Sequence, residues 1–341
     1  MISVGKWLDL WCLLTTMGSA AAAETRLFQF SEPHMGTLCV IRLYADDETR
    51  ANEAAKAAFA RIEQINQCAS DYLPESELSR FNLAPAHEAI PVSVDLFALL
   101  SSSTETARVT HGAFDITCAY AVQNWRRAKR QHKLPTPEST AHAVAMTHWD
   151  ALKLDAEKQT AMKTLPGLIC DLGGIGKGYA ANQALKVLRV KGITRAVVAA
   201  SGDLAIGEAP PGKEGWDVEL RTFEKPEEAD RLIHVTLKNA GCSTSGDLHQ
   251  FMEIGGVRYS HIIDPKTGLG MTQRRACTVI APDAAVSDAF DTPLCILGPE
   301  EGERVAKRLK RVAARWVTLD AEGGMHVHES AGFPVESKAD R

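Results

Sequence analysis

The chain has 341 residues, 45% of them hydrophobic, and 38 Lys and Arg stand against 43 Asp and Glu for a formal net charge of −5. That is enough apolar content for a substantial core in one large or two modest domains. The acidic balance, and the lack of a basic stripe interleaved with aromatics, exclude a nucleic-acid binder.

The first residues, MISVGKWLDLWCLLTTMGSAAAAE, read as a secretory signal over 1–23. Lys6 supplies the positive n-region, Leu10 to Met17 a short apolar run interrupted upstream by Asp9, and Ala21-Ala22-Ala23 an A-x-A cleavage site. Cys12 has no lipobox around it, so a lipid anchor is not expected. No later stretch is long and apolar enough to span a membrane.

TLCVIRLY then reads as a strand. In DDETRANEAAKAAFARIEQINQ, small or apolar residues recur at Ala51, Ala54, Ala55, Ala58, Phe59, Ile62 and Ile65. That is a helical stripe, with Asp46 or Asp47 as its cap. SVDLFALLSSSTETARVT is a second helix, YAANQALKVLRV a third, and RAVVAA a buried strand. The basic cluster NWRRAKRQHK, Asn124 to Lys133, reads as a solvated face or loop, and KLPTPEST and PGKEG read as loops. GWDVELRT, RLIHVTL and QFMEIGGVRYSHII are strands, the last folded as a hairpin at Gly255-Gly256. VSDAFDTPLCIL and EEGERVAKRLKR are helical, and RWVTLD and GMHVHE close the chain as strands. Neighbouring hairpins without regular β-α alternation predict an α+β fold, antiparallel sheets with helices packed on them, and not a Rossmann sheet.

CDLGGIGKGYAAN, Cys170 to Asn182, is the most glycine-rich turn. It fails the P-loop pattern at Asp171 and Gly178, and the dinucleotide pattern at Tyr179. What remains is either a tight turn with an exposed lysine or a backbone cradle for an anion at a helix start. Asp288 and Thr292 stand four apart in a predicted helix and share one face, so both can reach a hard cation. A plain helix-end charge is the other reading of Asp288. Asp291 falls off that face and reads as a surface charge. His261, in YSHIIDPKTG, is either a base near neutral pH or a strand histidine held by hydrogen bonds. His326 and His328 read as an exposed terminal strand. Seven cysteines follow the signal, with no C-x-x-C, and read mostly as buried small hydrophobes.

HMGT, GAFD, DLGGIGKGYA, TSGD, YSHIIDPKTG and SDAFDT, in this order over nearly the whole mature chain, resemble the ApbE family of FAD:protein FMN transferases. The resemblance implies an ApbE-like, T-fold-like domain over 24–335 with a flexible tail at 336–341. It implies an exported, periplasmic enzyme that uses FAD and Mg²⁺, attaches FMN by a phosphoester bond to a Thr or Ser of a target flavoprotein, and releases AMP. Targets carry D-x-x-[ST]-G-A-T, as in subunits of membrane redox complexes. This chain contains no GAT, so it is not its own acceptor. By the same resemblance Met35, Tyr72, Ala113, Phe114, Asp115, Asp171, Lys177 and Ile262 contact FAD. Gly174 binds Mg²⁺ through its carbonyl, Asp288 and Thr292 through their side chains, and His261 activates the acceptor hydroxyl. The glycine turn is then expected to face the FAD pyrophosphate through both metal and N–H groups. Ser201 departs from the usual glycine of its island, and Ser287 and Asp291 from the usual small residues of theirs. An FAD pyrophosphatase and a non-catalytic flavin-binding factor are the alternatives that the motifs leave open.

Overall fold

The computed structural model describes residues 25–220, 233–247 and 250–337, so the expected signal segment lies outside the described residues. The chain opens with β1 (Arg26–His34), β2 (Thr37–Ala45), α1 (Glu48–Ala69), α2 (Glu77–Leu83), β3 (Ile90–Pro91), α3 (Val94–Val109), α4 (Ala119–Gln131) and α5 (Pro137–Ala145). It continues through β4 (Leu152–Asp155), β5 (Thr160–Lys163), α6 (Gly176–Val190), β6 (Ala196–Ala200), β7 (Asp203–Ile206), β8 (Trp216–Leu220) and β9 (Ile233–Leu237). The last third holds β10 (Ala240–Gly246), β11 (Phe251–Ile254), β12 (Val257–Ser260), β13 (Ile263–Asp264), β14 (Leu269–Gly270), β15 (Arg274–Ala281), α7 (Ala284–Ala306), β16 (Ala313–Leu319) and β17 (Met325–Glu329).

Eight strands form one sheet in the order β1-β2-β6-β7-β10-β15-β16-β17, and every neighbouring pair is antiparallel. The α+β architecture is therefore as the hairpin pattern predicts, without parallel crossovers in the main sheet. Helices α1, α6 and α7 pack beside one another against this sheet. The α1 stripe Ala51, Ala54, Ala55, Ala58, Phe59, Ile62 and Ile65 is buried, and Asp47 caps the helix by accepting the Arg50 N–H at 2.8 Å. Small residues on α6 let it approach α7 closely. At Gly178 a Cβ would lie 2.2 Å from the Ala284 carbonyl and 2.4 Å from the Asp288 Cβ. Only glycine fits that crossing.

Several elements differ from the sequence reading. β1 was not foreseen; it pairs with β2 as a hairpin whose turn is Met35-Gly36, with φ of 52° and 70°. The basic cluster is the second half of α4 rather than a loop, and the end of KLPTPEST is the first turn of α5, capped by Thr136. The two predicted C-terminal helices form as read, the two arms of α7 on either side of a non-helical break at Gly298 with φ 77°. Arg275 fills that break, donating to the carbonyls of Cys295 at 2.8 Å and Ile296 at 3.1 Å. The Gly255-Gly256 hairpin forms as predicted, and the described cysteines are free, with Cys118 half-buried and the others buried. In the expected tail, the Ser337 N–H donates to the His234 carbonyl at 2.7 Å. No helix among the described residues is long and apolar enough to cross a membrane.

Candidate active site

The site grows from the start of α6. Ile175 occupies the N-cap position and offers no side-chain acceptor. The cap comes from α7 instead: Asp288 accepts the Gly178 N–H at 2.7 Å. The sequence reading assigned the helix-start N–H groups to the phosphates of a ligand. At Gly178 that is corrected, because the anion seated there is the protein's own carboxylate, which satisfies an orphan donor and the positive end of the helix.

Lys177 projects from the same turn. Its ammonium lies 2.5 Å from an Asp203 oxygen and 4.0 Å from one of Asp288. Oxygens of Asp203, Asp288 and Asp291 all lie within 4.8 Å of one another, and the three residues are buried. Asp291 is 3% exposed and its Oδ1 has no hydrogen-bond partner. It is not the surface charge that helical spacing suggested. Asp203 was not singled out at all. It opens β7 directly after the Ser201-Gly202 turn of the β6–β7 hairpin. Ser201 sits there at φ 63°, which explains why glycine suits the position.

Burial and then the Asp203 charge push the Asp288 carboxyl up to about 7, against the pull of Lys177. Burial and the charges of Asp288 and Asp203 push Asp291 well above the usual carboxylate range. Burial opposes charge on Lys177, but Asp288 and Asp203 outweigh it and hold the ammonium firmly protonated. One lysine cannot balance three carboxylates. Hard oxygen donors, excess negative charge and an unpartnered buried oxygen together fit a divalent cation such as Mg²⁺. Thr292, one turn beyond Asp288, bonds through Oγ1 to Ser245 Oγ of β10 at 3.0 Å.

The glycine turn is fixed from three sides. The Asp171 N–H donates to the Ile116 carbonyl at 2.7 Å, strapping the turn to GAFD. Asn82 holds both the N–H and the carbonyl of Cys170, at 2.8 and 2.9 Å. Asp171 accepts from Gly173 N–H at 2.8 Å and from Arg126 at 3.0 Å. Burial and the Asp71 charge push its carboxyl up to about 6, against Arg126. Arg126, read from sequence as part of a solvated face, thus reaches inward. Phe114 lies 3.3 Å from where a Cβ on Gly174 would sit, and Met35 Cε 3.5 Å from that point on Gly176. So Met35 and Phe114 flank the turn, beside buried Ala113.

Asp115 is occupied elsewhere: its carboxylate accepts from Thr117 N–H and Oγ1 and from Trp149 N–H, at 2.8, 2.6 and 3.0 Å. It braces the loop that carries Phe114. Ile262 is buried; its N–H donates to Ser260 Oγ at 3.1 Å and its carbonyl accepts from Met271 at 2.9 Å. His261 Nδ1 lies 3.1 Å from the Gln250 carbonyl. A carbonyl only accepts, so Nδ1 carries the proton and the neutral ring keeps its lone pair on Nε2. Burial lowers the His261 pKa, and the Lys177 charge lowers it further against the carbonyl bond. His326 and His328 are exposed on β17 and pair with Asp320 and Glu303.

The family model described as ApbE matches residues 35–316. A protein of Klebsiella pneumoniae named FAD:protein FMN transferase is 31% identical over 318 residues, covering 91% of this chain and 88% of that one. One of Escherichia coli with the same name is 32% identical, covering 80% and 79%. Among solved structures, a flavin transferase ApbE from Vibrio cholerae superposes with a TM-score of 0.79 at 26% identity, covering 91% of this chain and 99% of that one. The apo flavinyl transferase ApbE of Pseudomonas stutzeri gives the same TM-score.

Proposed function

We infer the function from kinship and geometry together: the chain belongs to the ApbE family, and it is an FAD:protein FMN transferase. The observation that carries the reading to this site is the acid cluster at the start of α6, with Lys177 inside it. A hard cation there, which we take to be Mg²⁺ held by the carboxylates with Thr292 and the Gly174 carbonyl, would offset charge on the pyrophosphate and the departing AMP.

The chain's own residues do the rest. The oxygen of an acceptor Thr or Ser bonds to the phosphorus of the FMN half, and the bond from that phosphorus to the AMP oxygen breaks. Nε2 of His261 takes the hydroxyl proton. Lys177 sets its ammonium against phosphate oxygens, and Met35, Phe114, Ala113 and Tyr72 offer apolar and aromatic surface to the nucleotide. Asp171, held by Arg126, and the backbone around Ile262 shape the walls. Such chemistry depends on positioning and electrostatics more than on covalent help from the protein. We also propose that residues 1–23 direct export, so that the enzyme acts in the periplasm on a D-x-x-[ST]-G-A-T acceptor belonging to a membrane redox complex.

Incubation with FAD, Mg²⁺ and an acceptor carrying that motif tests the reading. Intact-mass analysis should show the acceptor heavier by one FMN less water. Free FMN and AMP without labelled acceptor would make the protein a pyrophosphatase. Bound FAD without turnover would make it a flavin-binding factor.

A further inference from the structure

Arg126 touches none of the reacting atoms above, yet beyond holding Asp171 it joins three segments far apart in sequence. From α4 its guanidinium bonds to the carboxylate of Asp71, in the loop after α1, and to Asp171 of the glycine turn at 3.0 Å. Its Cζ also lies 4.2 Å from the centroid of the Tyr72 ring. Tyr72 is 71% exposed, although it is a large aromatic beside a half-buried network. The two carboxylates occupy the edge of the guanidinium, which leaves its flat face for the ring.

We propose that Arg126 is a positioning residue for FAD: it clamps the Asp71–Tyr72 loop to the Asp171 turn and backs one face of Tyr72, so that the other face stacks on a planar ring of FAD. The proposal rests on the functional reading above. An exposed tyrosine on a mobile loop loses side-chain and backbone freedom when it stacks. A ring already backed by a cation, on a loop already tied down, loses less, and the saving appears as affinity. Lysine cannot replace arginine here, since it lacks both the fork that spans two carboxylates and the flat face.

FAD affinity, followed by quenching of flavin fluorescence, and single-turnover transfer are measured for wild type, Arg126→Ala, Arg126→Lys, Tyr72→Ala and the double variants. Loss of the Arg126 contact should weaken FAD binding about fivefold or more and reduce quenching at saturation. The transfer rate at saturating FAD should change little. Arg126→Lys should not restore affinity. In the Tyr72→Ala background, either Arg126 change should add a clearly smaller loss than in wild type, because the face it supports is gone and only its hold on Asp171 is left to lose. Where Arg126→Ala is too unstable to assay, the Lys variant completes the same cycle with a charge kept beside Asp71 and Asp171. Unchanged FAD affinity in the Arg126 variants, or losses that simply add to that of Tyr72→Ala, would overturn the proposal. A wild type that binds FAD but labels no acceptor would refute the transferase reading and leave the clamp standing.

Discussion

Replacing Asp291 by Asn should move two properties of the protein in opposite directions. In the metal-free protein Asp291 lies within 4.8 Å, oxygen to oxygen, of two other buried carboxylates. At an effective dielectric constant of 20, two like charges at that distance repel by about 3 kcal/mol. The group can escape by taking up a proton, but at pH 7, about three units above an ordinary aspartate, that costs about 4 kcal/mol. Either route burdens the fold, and Asn avoids both while keeping the shape. Lys177 returns part of the burden to the wild type, so the expected net gain for Asp291→Asn is about 1–3 kcal/mol in EDTA. With a divalent cation bound the sign reverses, because the cluster then loses one of its charges. The pH dependence follows. Asp291 and Asp288 have folded pKa values above their unfolded ones. The folded state therefore holds more protons, and wild-type stability in EDTA falls as pH rises from about 4 towards the folded values. The variant should show a shallower fall. Urea unfolding in EDTA and in Mg²⁺ or Mn²⁺, with calorimetric titration of the metal, reads all of this. An Asn variant that is less stable than wild type in EDTA, or that binds the cation equally well, would refute the account of the cluster.

Gly178→Ala should destabilise the protein by about 3 kcal/mol or more in thermal unfolding, since its Cβ would meet the Ala284 carbonyl at 2.2 Å and force α6 from α7. Metal binding should weaken as well, because the Gly178 N–H that steadies Asp288 would be displaced. His261→Gln should keep FAD affinity and slow single-turnover transfer by roughly two to four orders of magnitude. For wild type, burial lowers the His261 pKa below that of a free imidazole, so transfer should hold through neutral pH and fall only on the acid side; a fall centred above 7 would assign the base elsewhere. N-terminal sequencing of protein recovered from the periplasm should begin at or near Glu24, and recovery of full-length protein only from the cytoplasm would sink the export proposal.

The fold was legible where local pattern and burial agree. The α1 stripe, the Gly255-Gly256 hairpin and the buried RAVVAA run each carry their own periodicity, and each forms as read. β1 was hidden because its alternation is short: it is an edge strand paired on one side with β2 alone, with Phe28, Phe30 and His34 half-buried on one face and the rest exposed. α4 was hidden for a related reason. Its buried face is small, and its charged residues filled the window, so the pattern looked like solvated surface. Nothing local announces that one arginine of that run, Arg126, will find two carboxylates 55 and 45 residues away.

The site was legible as a set of islands and illegible as a constellation. Asp288 and Lys177 stood out because each sits in a motif, but the partner that orients Lys177 is Asp203, at the head of a strand. An acid opening an otherwise apolar strand was the available signal, since such a carboxylate stays buried only beside a cation or a metal. Asp291 was misread for a more instructive reason. Helical geometry places residues three and four apart on nearly the same face, so Asp288, Asp291 and Thr292 span an arc and not a line. On a helix with one buried face, the edge of that arc meets solvent. α7 is enclosed by α6 and by β10 and β15 as well, so the arc is buried across its width. There a third carboxylate is not a neutral surface choice. It raises the electrostatic burden of the empty site, and a fold retains such a burden when a bound cation relieves it.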